Sequence, residues 1–224
     1  MQVMVFGATG MVGGGALLAC LEDPDVENVL AVGRRPVGVD HPKLEELLAP
    51  DLFDLSSHRD ALTGFDACLY CLGVSAAGMS EPDYRRITGD LTVAVLDAVA
   101  EASPGLAVCF VSGQGTDPSS GTMWARVKGE AEEAVLRRDD VRGYAFRPGF
   151  IQPVKGVRSS TTLYRVGYAA LSPVIPLMRR LFPRAITTTD ALGRALIQVA
   201  RRGHEPRILE MRHIHDLVRR MGEG

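Results

Sequence analysis

Lysine is nearly missing from this chain. Of 25 basic residues only Lys43, Lys128 and Lys155 are lysine, leaving 25 − 3 = 22 arginines. Where a bare positive charge suffices the chain uses arginine, so a lysine in a suggestive place carries added weight. Net charge is also small, -2 over 224 residues, which gives no general attraction to nucleic acid. Long apolar runs are absent. The most apolar late stretch, 166–178, is broken by Pro173 and Pro176 and falls short of the roughly 20 residues that span a bilayer. No basic leader precedes the strand pattern that begins at Gln2, which argues against a secretory signal and for a cytoplasmic protein. Repeats and low-complexity linkers are missing too. A length of 224 residues suits one large α/β domain and is short for two.

Cysteine is sparse, with Cys20, Cys68, Cys71 and Cys109 all in apolar segments. Cys68 and Cys71 form a CxxC inside 65–72, which reads as a buried strand. An offset of three on a strand sends the two side chains to opposite faces, so the motif reads as buried small residues in a reducing cytosol rather than a redox or metal pair.

What is present is alternation. The apolar run 2–6 ends at Gly7 and suits a buried parallel strand. A helix follows over 11–21, a strand over 28–32 and a weak strand over 44–49. The pattern continues with a strand at 65–72 and an amphipathic helix over 82–102 whose stripe is Ile87, Leu91, Val95, Leu96 and Val99. A strand at 106–111, a helix over 123–136 and a strand at 144–146 complete it. This order predicts an α/β, Rossmann-type doubly wound fold with a mainly parallel sheet. The chain reads as a single dinucleotide-binding domain over 1–224. From Ile151 onward the pattern is less regular and predicts a small C-terminal cap region on the substrate side, roughly 151–186. Thr187-Thr188-Thr189-Asp190 reads as the N-cap of a further helix.

On such sheets ligands lie beyond the carboxyl ends of the strands, so residues after each strand are the ones to inspect. Gly7-Ala8-Thr9-Gly10-Met11-Val12-Gly13 spaces its glycines GxxGxxG between a strand and a helix. A tight turn needs unusual backbone angles, and a pyrophosphate must reach main-chain N–H groups unobstructed by Cβ atoms. Gly14 and Gly15 read as local redundancy. About 20 positions on, where an acidic residue would hydrogen-bond the ribose of NAD, the chain has Gly33-Arg34-Arg35. A guanidinium pairs with a 2′-phosphate through charge-assisted hydrogen bonds, so NADP(H) is favoured over NAD(H).

The segments GATGMVG from Gly7, GRRP from Gly33, CLGVSAAG from Cys71, VSGQGT from Val111, WARVKGEAE from Trp124 and RPGFIQP from Arg147 belong together. With TTTDALGRAL from Thr187 and RILEMRHIHDL from Arg207, they resemble an atypical short-chain dehydrogenase/reductase (SDR), most like the Tat-interacting-protein-like oxidoreductase branch. The resemblance implies that Gly7, Thr9, Gly10, Met11, Val12 and Gly13 hold the pyrophosphate, and Arg34 and Arg35 the 2′-phosphate. It further implies Asp54 and Leu55 at the adenine, Cys71, Leu72 and Gly73 along the ribose, and Pro148, Gly149, Phe150 and Ile151 past the nicotinamide. Ser112 takes the place of the family's catalytic or positioning serine, and Lys128 that of the lysine that bonds the nicotinamide ribose.

One position departs from that pattern. The family's acid is a tyrosine four residues before the lysine, one helical turn away; here it is Trp124. An indole N–H donates a hydrogen bond but has no accessible proton to give. Tyr70 and Tyr144 read as core, while Tyr84, Tyr164 and Tyr168 are alternative proton donors. The chain therefore reads as an NADP(H)-binding protein, either a reductase of a small carbonyl compound with a non-standard site or a non-catalytic regulator acting through a protein partner. An epimerase working by transient hydride transfer would need the same missing proton handler. His213, His215 and Asp216 lack a third well-spaced ligand and read as structural, with no metal site expected. Glu132-Glu133 reads as a solvated face, and 164–184 as a cap helix packed on the core rather than a membrane contact.

Overall fold

The computed structural model describes residues 1–154 and 186–222. Its main sheet has seven strands in the order β3-β2-β1-β4-β5-β6-β9, every neighbouring pair parallel. The strands are β1 (Gln2–Phe6), β2 (Asn28–Gly33), β3 (Leu44–Leu48), β4 (Ala67–Tyr70), β5 (Ala107–Val111), β6 (Arg142–Arg147) and β9 (Ile208–Glu210). A separate parallel pair joins β7 (Phe150–Gln152) to β8 (Ile186–Thr188). The helices are α1 (Met11–Glu22), α2 (Glu81–Arg85), α3 (Leu91–Ala102), α4 (Met123–Leu136), α5 (Thr189–Arg202) and α6 (Met211–Gly222).

The central strands are apolar on both faces because helices cover both. On one face Val3, Val5, Leu69 and Cys109 pack with α1, α5 and α6; on the other Met4, Phe6, Cys68 and Val108 pack with α3 and α4. Phe6, Tyr70 and Phe110 stack across three strands of the second face, at centroid distances of 6.2 and 5.5 Å. Cys68 lies on this second face while Cys71 packs toward the first. The two sulfurs thus part across the sheet, and burial pushes both thiols up, Cys71 to about 12.

Three segments differ from the sequence pattern. The strand read over 65–72 shortens to Ala67–Tyr70, since the Phe65 N–H leaves the ladder for the Ser103 hydroxyl at 3.0 Å. The helix read over 82–102 is interrupted by a wide π turn, Arg86–Asp90, where the Thr92 hydroxyl is shared between the Thr88 carbonyl (2.7 Å) and the Tyr70 hydroxyl (3.0 Å). The third is β9, a strand that the sequence pattern does not mark. Beyond Thr188, whose hydroxyl caps α5 by accepting the Ala191 N–H at 3.1 Å, the chain returns to the main body. There α5 lies on α1, and β9 extends the sheet beside β6. Three residues of strand are too few to show a period. The centre of the expected cap, with Lys155, Tyr164, Tyr168, Arg179, Arg180 and Arg184, lies outside the described residues.

Gly15 is not redundant. A Cβ there would collide with Thr189, and one on Gly193 would lie 2.8 Å from the Ala19 Cβ and 3.0 Å from the Gly15 carbonyl. The pair lets α1 and α5 cross at backbone contact.

Candidate functional site

The strand order reverses between β1 and β4, and a cleft of about 340 Å³ opens at their carboxyl ends. Gly7, Thr9 and Gly10 form one wall, Arg34 and Arg35 another, and Cys71, Leu72 and Gly73 a third. Gly7 has φ +82°, and a Cβ there would sit 2.8 Å from the Cys71 carbonyl, so the turn fits against β4 only as glycine. A Cβ on Gly13 would strike the Gly7 carbonyl, so the first turn of α1 also depends on a bare backbone. That turn begins at Gly10 with no side-chain cap and no acidic residue. Its N–H groups and positive helix end are therefore free for an anion. Met11 and Val12 turn their side chains toward the core and can offer only backbone.

Arg34 and Arg35 are exposed at the cleft, with no ion-pair partner among the described residues. The residues beyond β3 are placed differently from expectation. Asp51, Leu52 and Phe53 line the cleft, whereas Asp54 turns to Ser56, accepting its N–H at 3.0 Å and its hydroxyl at 2.6 Å, and Leu55 is core. The Ala49 N–H still bonds the Gly33 carbonyl and Pro50 breaks the strand, so the chain reaches the cleft three residues earlier than read. Arg86 lies over the Phe53 ring at 5.4 Å, and Ile87 from the π turn closes the same wall. A turn of that kind leaves no mark in apolar periodicity, so neither contact was legible.

Beyond β5, Ser112 is buried, its hydroxyl 2.7 Å from the Thr116 hydroxyl, which in turn donates to the Gly113 carbonyl at 2.8 Å. Lys128 on α4 donates from Nζ to the Ser112 carbonyl at 3.1 Å and lies 5.9 Å from the Phe110 ring centre. Desolvation pushes its ammonium down to about 8, opposed by the negative charge of Glu132 one turn on. Trp124, one turn before, is half-buried beside Gly115. The Pro148 carbonyl accepts the Gln114 N–H at 2.9 Å, tying the end of β6 to the Ser112 loop, and Ile151 is buried in β7 beyond it. Gly149 and Phe150 are half-buried between them.

Glu132 is corrected from a solvated residue to a buried one, 2% exposed. Its carboxylate takes the Arg147 guanidinium at 2.5–3.1 Å, and Arg147 also reaches Glu210 at 3.2 Å. The alternative proton donor Tyr84 is core, 1% exposed, and Tyr70 and Tyr144 are buried too. His213 accepts the Glu210 N–H at 3.1 Å, and among the described residues no three candidate ligands gather for a metal.

A parallel α/β sheet with a glycine cradle at its switch point defines a dinucleotide-binding protein. The model for the NAD dependent epimerase/dehydratase family matches residues 3–133, more than half of the chain. The chain belongs to that family and has its SDR-like fold. It is 30% identical over 157 residues to the protein fmp52, mitochondrial, of Emericella nidulans, and 32% identical over 157 residues to that of Aspergillus clavatus. Each alignment covers 67% of this chain and 66% of the relative, so the chain spans just under two thirds of those proteins. In fold it is similar to a short-chain dehydrogenase family protein of Francisella tularensis, with TM-score 0.69 and 13% identity over 93% of this chain and 96% of the other. An SDR-superfamily protein of Agrobacterium tumefaciens with bound NAD gives TM-score 0.64 and 18% identity, covering 94% and 77%. The relatives' mitochondrial names overturn the expected cytoplasmic location. That expectation rested on a missing leader, and an absence names no compartment. Among the described residues no helix is long and apolar enough to cross a membrane.

Proposed function

We propose that this chain is a single NADP(H)-binding unit of the Tat-interacting-protein-like branch, acting as a reductase of a small carbonyl compound through a non-standard site. The observation that carries the cofactor reading is one cleft with a glycine turn facing two exposed arginines that have no ion-pair partner among the described residues. The one carboxylate on that wall, Asp51, is engaged by the Phe53 N–H at 2.8 Å. The uncapped first turn of α1 fits a pyrophosphate, and the arginine pair fits a 2′-phosphate.

When bound, the reduced nicotinamide supplies a hydride. Lys128 holds its ammonium at the Ser112 carbonyl and would offer its remaining protons to the ribose hydroxyls of a bound cofactor. Ser112, with Thr116 as its partner, orients a carbonyl oxygen. Trp124 can hold such an oxygen by its indole N–H but cannot protonate it.

That last property favours a second reading, a cofactor-binding regulator without turnover. Calorimetric titration with NADPH and NADH, followed by NADPH consumption with aldehydes, ketones and quinones, separates the readings. Equal affinities for the two cofactors defeat the NADP(H) preference. Tight NADPH binding with no consumption across the panel defeats the reductase.

A further inference from the structure

The loop after β5 sets two buried hydroxyls against each other. Ser112, 8% exposed, keeps its N–H on the Phe146 carbonyl at 2.8 Å, so its backbone still belongs to the sheet. Gly113 to Thr116 then make a turn, closed by the Thr116 N–H on the Gly113 carbonyl at 3.2 Å, with Gly115 in the left-handed region at φ +86°. Gln114 pins that turn to the Pro148 carbonyl at 2.9 Å. Thr116, 3% exposed, thus has its hydroxyl placed by its own turn. It lies 2.8 Å from the same Gly113 carbonyl and 2.7 Å from the Ser112 hydroxyl.

A hydroxyl has one proton to give. The Gly113 carbonyl can only accept, so its contact with Thr116 takes the Thr116 proton. Ser112 must then donate to Thr116, and its own proton is spent. The reverse order, Thr116 donating to Ser112, would set two lone-pair oxygens against each other at 2.8 Å and leave the Ser112 proton without an acceptor among the described residues. The chain of protons therefore runs from Ser112 to Thr116 to Gly113, and Ser112 has only lone pairs left for a ligand. Lys128 does not alter this, since its ammonium takes the Ser112 carbonyl and not the hydroxyl. We propose that Thr116 is a positioning residue that makes Ser112 a hydrogen-bond acceptor, so that the site favours a hydroxyl-bearing ligand, the alcohol of the proposed carbonyl–alcohol pair, over the carbonyl. An alcohol donates into the existing chain and adds a bond. A carbonyl oxygen is held only when both protons reverse and Thr116 gives up Gly113. The difference is one hydrogen bond, about 3- to 10-fold in affinity.

The inference rests on the reading of Ser112 as a substrate contact, and two measurements keep them apart. Neutron diffraction from the full-length deuterated protein locates the hydroxyl deuterons: that of Ser112 is expected on the line to Thr116, and that of Thr116 toward Gly113. A Thr116 deuteron aimed at Ser112 overturns the proposal, and this holds even should a Thr116 variant fail to fold. Propan-2-ol and acetone, alike in shape, serve as probes, the alcohol with bound NADPH and the ketone with bound NADP+ so that neither pair can react. Their dissociation constants are read from the Ser112 amide signal in NMR titrations. Thr116→Val, which removes the hydroxyl and keeps the shape, should tighten acetone about 3- to 10-fold and leave propan-2-ol within about twofold. Thr116→Ser should match the unmodified protein. Equal changes for the two probes in Thr116→Val overturn the proposal. Deuterons placed as expected, with neither probe moving the Ser112 signal, keep the hydroxyl order and remove Ser112 from the substrate.

Discussion

Arg34 and Arg35 sit at the cleft with no carboxylate partner among the described residues, and each charge-assisted contact to a phosphate contributes about 1.5–3 kcal/mol. Arg34→Ala or Arg35→Ala should therefore weaken NADPH about 10- to 100-fold and leave NADH within about twofold, read by paired calorimetric titrations. Lys128 predicts a pH dependence of definite sign. Its ammonium is held down to about 8, so the contribution to cofactor binding proposed for it should be present at pH 6–7 and fade as pH rises through about 8. The NADPH dissociation constant should rise across that window, and Lys128→Arg, which stays charged, should flatten the curve. At Trp124 the expected outcome of Trp124→Tyr is a gain in NADPH-dependent carbonyl reduction, since a phenol one turn from Lys128 can exchange a proton. At this scale the glycines, the arginine pair and the Trp–Lys spacing were legible because each is a local pattern after a strand. Glu132 was not. Its burial depends on Arg147 and Glu210, 15 and 78 positions away, and nothing in a Glu-Glu pair distinguishes the residue that faces inward (147 − 132 = 15; 210 − 132 = 78).

Elements carry a different kind of information. The boundaries of α1 and α4 follow from apolar spacing and from Pro24 beyond α1, and they differ little from the pattern. The π turn at Arg86–Asp90 and the short β9 were illegible, one because it adds a residue without altering composition, the other because three residues have no period. The crossing of α1 on α5 is the element-level feature most exposed to test. Alanine is a better helix former than glycine by about 1 kcal/mol, so Gly193→Ala would stabilise an isolated helix. Here its Cβ would meet Ala19 and the Gly15 carbonyl, and overpacking of that kind costs about 1–3 kcal/mol. A melting temperature lower by several degrees is expected, with NADPH affinity reduced because α1 carries the phosphate cradle. An unchanged or raised melting temperature would show that the helices separate easily.

For the whole molecule, the carboxyl edge of the sheet gathers Gly7, Thr9, Gly10, Arg34, Arg35, Cys71, Leu72 and Gly73 into one cleft. A ligand bound across that edge adds contacts between segments that come from separate strands. Saturating NADPH at about 100 times its dissociation constant should add about 2.7 kcal/mol, or about 5–10 °C in melting temperature for a chain of this size, and NADH less. The doubly wound order was readable from alternation alone, but the return of the chain end to the sheet was not. That return has a consequence for how the molecule comes into being. The helix that would present the phosphate cradle is made before α5, yet Asp23 at its C-terminal cap is paired at 2.8 Å with Arg201, 178 positions later. A nascent chain still lacking α5 has the glycine turn but no clamp on the helix behind it. The proposed cofactor site thus matures only once α5 has been made, so products of interrupted translation that lack α5 should not sequester the dinucleotide.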